Sequence, residues 1–183
     1  MRGYFGIGAE GISKLENFGN LVRTAHGFGA SFCFTVNPSR QMHKISSDTS
    51  KGMDYMPYFP WESAEDIALP RHCRLVGIEL TEDAIDLPSF RHPSRAAYIL
   101  GPEKGSLSNN IQQQCTHIIK IPTRFCLNVA TAGAIVMYDR ILTLGQFAPR
   151  PIKSGGPTEP VPFHVQGKPK MRSKRAEFYK DQF

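Results

Sequence analysis

Five short apolar runs, at residues 3–8, 31–36, 74–80, 96–100 and 118–121, recur along this 183-residue chain with helix-patterned segments between them. Each run is too short for a helix, and 31–36 is apolar almost throughout, as a strand covered on both sides must be. Residues 20–28 instead place Leu21, Ala25 and Phe28 on one helical face, and 107–115 and 128–144 keep the same spacing. Strands alternating with helices predict an α/β domain: a mainly parallel sheet flanked by helices, with ligand-binding groups at the carboxyl ends of its strands. Residues 37–70, with Pro38, Pro57, Pro60 and Pro70, read as a long irregular connection with one short helix near 63–67. Connections of that length tend to be functional.

The net charge of +6 is unevenly spread. Eight Lys/Arg from Arg150 onward, Lys170 and Arg172 among them, face only Glu159, Glu177 and Asp181, so the tail holds five of those charges. The run of Pro and Gly beyond Phe147 marks a boundary, giving a domain at 1–148 and a Pro/Gly-rich linker with a basic tail at 149–183. Such a tail is either a solvated end or a phosphate contact. Cys33, Cys73, Cys115 and Cys126 have no CxxC spacing, so neither a metal site nor a disulfide framework is expected. The longest apolar stretch, 129–144, is broken by Asp139 and Arg140, which argues against a membrane span and for a cytoplasmic protein.

One motif misleads. Gly6, Gly8 and Gly11 match G-x-G-x-x-G just after the first strand, the fingerprint of a dinucleotide-binding turn. That turn needs a helix directly after the third glycine and an acidic residue about 20 positions on. Here Ile12, Ser13 and Lys14 follow, and the second strand ends at Val36 and Asn37 without a carboxylate. The expected reading is a flexible loop after strand one. An NADP-dependent Rossmann enzyme, with Arg40 on the 2′-phosphate, is a remote alternative.

Three separated polar patches carry more weight. Asn17, Gly19, Arg23 and Thr24 fit N-x-G-x-x-x-R-T/S; Gly101-Pro102-Glu103-Lys104-Gly105-Ser106-Leu107-Ser108 approaches G-P-E-x-x-G-L-S with its second glycine one place early. Ile121-Pro122, then Cys126-Leu127-Asn128-Val129-Ala130, follows I-P…S-L-N-V-S with both serines replaced. Over residues 3–148 this set resembles the SpoU/TrmH branch of the SPOUT superfamily of RNA methyltransferases. The resemblance implies S-adenosyl-L-methionine as cofactor, a ribose 2′-hydroxyl of tRNA or rRNA as acceptor, a C-terminal trefoil knot, and a homodimer through the knot region and last domain helix. It also implies catalytic roles for Asn17, Arg23, Glu103 and Asn128, and an adenosine site walled by Ile78, Glu79, Leu100, Gly101, Ile121, Pro122, Cys126 and Leu127.

From the residues themselves, Asn17 is expected before the helix as a cap and Arg23 on it. Glu103, at the mouth of a buried strand, needs a partner, and Arg23 is the expected cation. The resemblance implies a general base at Arg23, but a guanidinium is hardly ever deprotonated, so in that reaction Arg23 is expected instead to stabilise the developing oxyanion. Arg91, His92, Arg95, Arg124, Lys170 and Arg172 are candidate phosphate contacts. The two lost serines keep a second alternative open, a catalytically weakened RNA-binding relative.

Overall fold

A computed structural model of the chain describes residues 3–39, 51–145, 147–148 and 150–156. The chain divides into a compact unit, Met1–Gln146, and a second unit, Phe147–Phe183. Lys170, Arg172 and Arg40 lie outside the described residues.

The first unit is built on seven strands in one sheet: β1 (Tyr4–Glu10), β2 (Phe32–Val36), β3 (Tyr58–Trp61), β4 (Arg74–Ile78), β5 (Ile85–Asp86), β6 (Arg95–Leu100) and β7 (His117–Lys120). They lie in the order β3-β2-β1-β6-β4-β7-β5, and every pairing is parallel. All strands therefore end on the same rim. Two strands escaped the sequence reading. β3 contains Pro60, which an edge strand tolerates because one side of it needs no ladder bond; β5 has only two residues.

Helices α1 (Leu15–Gly27) and α4 (Val129–Leu144) cover one face of the sheet, while α3 (Asn109–Gln114) and the 61–73 connection cover the other. α1 buries Phe18, Leu21, Val22 and Ala25, an i, i+3, i+4, i+7 stripe. It meets α4 at Gly133, where an added Cβ would stand 2.4 Å from Leu21 Cδ1. The bare glycine is what lets the two helices close. A four-residue helix, α2 (Gly52–Tyr55), sits beside α1.

α1 begins at Leu15, earlier than its spacing suggested, so Asn17 lies within its first turn rather than ahead of it. α1 has Lys14 at its cap position with no side-chain cap bond, whereas α4 is capped by Asn128, whose Oδ1 accepts from the amides of Ala130 (2.9 Å) and Thr131 (3.4 Å). The G-x-G-x-x-G reading also needs correction. Gly6 and Gly8 belong to β1 itself, opposite Phe32 and Phe34, and a Cβ on either would fall 2.2–2.3 Å from atoms of those phenylalanines. These glycines make room for aromatic rings, and only Gly11 (φ +59°) forms a turn.

Asp139 and Arg140, which interrupt the apolar run of α4, are packing residues. Arg140 is fully buried and donates to the carbonyls of Pro93, Ser94 and Tyr4 and to the Tyr98 hydroxyl, tying α4 to the amino ends of β1 and β6. Its guanidinium also lies over the Phe5 ring, 5.3 Å from the centroid. No helix of the described residues is long and apolar enough to cross a membrane.

Candidate active site

The carboxyl rim holds an open, solvent-facing cleft between the ends of β4, β6 and β7 and the first turns of α4. Its lining includes seven of the eight residues assigned above to the adenosine: Ile78, Glu79, Leu100, Gly101, Ile121, Cys126 and Leu127. Pro122 is exposed and outside the lining. Leu80, Pro102, Gly105, Lys120, Thr123, Val129 and Ala132 complete the wall. Most of these carry no chemical signature in the sequence, and Lys120, the last residue of β7, lies inside a run that reads simply as a strand.

The cleft floor is set by Glu79. Its Oε2 accepts from the Leu107 amide at 2.7 Å and its Oε1 from the Leu80 amide at 3.0 Å, binding the 101–107 turn to the end of β4. An added Cβ at Gly101 would lie 3.2 Å from both Glu79 Oε2 and Leu107 N, the two atoms of that bond. Gly105 takes φ +110°, so the early second glycine moves the left-handed position of the turn rather than abolishing it. Ser108 still caps α3 by accepting from the Ile111 amide (3.3 Å), and its own amide donates to the buried Glu10 (2.8 Å). On the opposite wall, Lys120 Nζ donates to the carbonyls of Thr81 and Glu82, both at 3.0 Å, and pins that loop.

Beside the cleft, three of the four predicted catalytic residues form one chain. Asn128 Nδ2 donates to Asn17 Oδ1 (2.9 Å), and Asn17 Nδ2 donates to Glu103 Oε1 (3.1 Å). Glu103 further accepts from the amides of Ser13 and Lys14 and from Ser13 Oγ, each at 3.1 Å. Burial pushes the Glu103 carboxyl up, but the bonds from Ser13, Asn17, Lys14 and its own backbone amide together hold it below the usual carboxylate range. The expected Arg23–Glu103 pair is absent: amides at the entrance to α1 satisfy this carboxylate. A sequence pattern reveals side chains, and the Ser13 and Lys14 donors are main chain.

Arg23 lies six residues beyond Asn17 on α1, about 9 Å along the axis and on its exposed side. Among the described residues it makes no hydrogen bond or ion pair. Arg124 and Phe125 project from the loop that carries Cys126, and Phe125 is 72% exposed. Thr123 Oγ1 donates to the Phe125 and Ile121 carbonyls and braces that loop. Arg91 and Arg95 are exposed but precede or open β6, on the rim opposite the cleft. His92 cannot serve as a surface phosphate contact: it is 3% exposed, with Nδ1 2.5 Å from the Tyr98 hydroxyl and Nε2 2.9 Å from Asp139 Oδ2.

Comparison with known proteins bears on this geometry. The sequence pattern of the SpoU rRNA Methylase family matches residues 5–138. A mouse (Mus musculus) protein, tRNA (guanosine(18)-2'-O)-methyltransferase TARBP1, is 26% identical over 143 residues, covering 70% of this chain but only 9% of that protein. Among solved structures, the SpoU methyltransferase AviRb from Streptomyces viridochromogenes in complex with AdoMet superposes with a TM-score of 0.69 at 19% identity, over 78% of this chain and 58% of that one. The A. aeolicus TrmH/SpoU tRNA modifying enzyme does so with a TM-score of 0.64 at 18% identity, over 76% and 74%. At these identities the two structures establish the fold.

Proposed function

Because this chain belongs to the SpoU rRNA Methylase family, we propose that it transfers the methyl group of S-adenosylmethionine to a ribose 2′-hydroxyl of RNA, with transfer RNA the first substrate to test. The observation that carries the reading is the Asn128–Asn17–Glu103 chain standing beside an apolar cleft on the carboxyl rim.

The cleft suits that cofactor. Ile78, Leu100, Ile121 and Leu127 offer flat apolar walls for a purine, Glu79 offers carboxylate oxygens for ribose hydroxyls, and Gly101 keeps the floor clear where any side chain would press on the Glu79–Leu107 bond. S-adenosylmethionine supplies an electrophilic methyl on a sulfonium centre. Everything else is orientation, which contributes on the order of 7–11 kcal/mol at the limit for well-aligned groups.

Glu103 acts by position. Its oxygens are taken up by four donors and its pKa is depressed, so it is a poor general base and serves to fix Asn17 and, through it, Asn128. Arg23, exposed on α1, is the cation that lowers the pKa of the 2′-hydroxyl and stabilises the developing oxyanion, with the proton passing to phosphate or water. Arg124 and the basic tail contribute phosphate contacts. Two copies pair through α4, where Tyr138 and Leu142 are exposed one turn apart. Such pairing can bring one subunit's Arg23 to the other's cleft. The trefoil knot expected of the family belongs to the same proposal.

The test is incubation with isotope-labelled S-adenosylmethionine and unfractionated tRNA or rRNA, followed by nuclease digestion and mass analysis of the nucleosides. Labelled 2′-O-methylnucleosides support the reading; label on a base overturns it. A second reading, a weakened RNA-binding relative, is favoured by Cys126 and Ala130 standing where the family has serines. Cofactor and RNA binding without transfer would select it.

A further inference from the structure

Tyr55, the last residue of α2, keeps 74% of its surface exposed, the most of any large apolar or aromatic side chain described in the first unit. One face of its ring is covered. His26 of α1 lies against it with centroids 5.3 Å apart and planes 11° from parallel, an offset stack. The pair is firmly seated. Gly52 approaches α1 so closely that a Cβ there would be 3.1 Å from Val22 Cγ1 and 3.2 Å from His26 Cβ. Met56, directly after Tyr55, is buried at 2%, and the Pro57 carbonyl accepts from the Cys33 amide at the start of the β2–β3 ladder. The ring is thus held flat against His26 with its outer face open, leaving a surface on which a second planar group can stack.

Its neighbourhood suggests what. Arg23 precedes His26 by three residues on α1, about 4.5 Å along the axis and about 60° around it. The stacked pair thus stands next to the cation assigned above to the ribose oxygen. Every nucleobase offers a π face to an aromatic platform, and bases are read most readily where RNA is unpaired. We propose that Tyr55, backed by His26, is the stacking platform for an unpaired RNA base, that of the target nucleotide or its immediate neighbour, and so sets which ribose reaches Arg23. The proposal deepens the methyl-transfer reading and rests on it for the role of Arg23.

The probe is a single-stranded RNA of about 12 nucleotides carrying one 2-aminopurine, whose fluorescence falls on stacking. The full-length protein is expected to quench it, Tyr55→Phe to quench it equally, and Tyr55→Leu to lose the quench and bind roughly 10–100-fold more weakly at the same salt. Affinity for S-adenosylmethionine and the melting midpoint stay as in the wild type. Undiminished quenching by Tyr55→Leu, no quenching by the wild type, or weakening only in step with a lowered melting midpoint overturns the platform. Methyl transfer to tRNA is measured separately, so the two ideas fail independently: transfer without a Tyr55-dependent quench sinks the platform alone, and a quench without transfer sinks the enzyme reading alone.

Discussion

Asn128 donates through Nδ2 to Asn17 Oδ1 at 2.9 Å, joining residues 111 positions apart in the chain. Each amide is used at both ends, since Asn128 Oδ1 caps α4 and Asn17 Nδ2 reaches Glu103. Neither side chain can rotate without breaking two bonds. The start of α1, the 101–107 turn and the start of α4 are thereby fixed relative to one another, and the helix bearing Arg23 is held to the cleft.

Arg23→Lys keeps the charge and loses the planar fork. Calorimetry should give an S-adenosylmethionine Kd within about 2-fold of wild type, while kcat falls by about 100-fold or more, the usual effect of removing one oxyanion donor. Wild-type turnover in this variant would remove Arg23 from the mechanism.

Glu103 has a depressed carboxyl pKa. The unfolded chain therefore binds its proton more readily than the folded one, so the stability this residue contributes is present above the ordinary carboxyl pKa, near 4.3, and is lost as pH falls through the lower folded value. Melting followed from about pH 5 to about pH 3 should show a steeper decline for wild type than for Glu103→Gln. Parallel curves would mean that the carboxylate is not held as described.

Gly101→Val sets a branched side chain against the Glu79–Leu107 bond. Forced overpacking of this kind costs about 1–3 kcal/mol, so S-adenosylmethionine affinity should drop about 10-fold or more. Unchanged affinity by calorimetry would place the cofactor elsewhere.

His92 has its pKa lowered chiefly by burial; Asp139 opposes the shift and Arg140 adds to it. A neutral His92 completes an ordered network in which Arg140 donates to the Tyr98 hydroxyl, that hydroxyl donates to His92 Nδ1, and Nε2–H donates to Asp139. The Tyr98 hydroxyl keeps its proton, burial having pushed its pKa up to about 12. Because folding disfavours protonated His92, its stabilisation is full above the ordinary histidine pKa near 6.5 and declines as pH falls toward the lower folded value. The melting midpoint should fall between about pH 7.5 and 5.5 in wild type and fall less in His92→Gln.

Much of this architecture is legible in the sequence because buried parallel strands are short and apolar and helices repeat at 3.6 residues. β3 was hidden by Pro60, which signals a break unless the strand is known to lie at an edge. Asn17 was misplaced because the early turn of α1, with Glu16 and Asn17, looks polar; the amides of Ser13 and Lys14 just ahead of it, and the Asn17 side chain, are satisfied by Glu103, 86 residues away from Asn17. The Arg23–Glu103 pair was a sound inference from charge alone, and it failed because backbone donors do not show in a residue string. His92 looked like a surface cation between Arg91 and Pro93, and only the fold reveals Tyr98 and Asp139 on either side of it.

Arg140 gives the molecule a division of labour. With all strands pointing one way, the guanidinium fastens the amino ends of the two central strands, β1 and β6, and leaves the far rim free to vary. Random mutagenesis should accordingly sort into two classes: changes near Arg140 that lower yield of folded protein, and changes around the cleft that spare yield and alter what the protein acts upon.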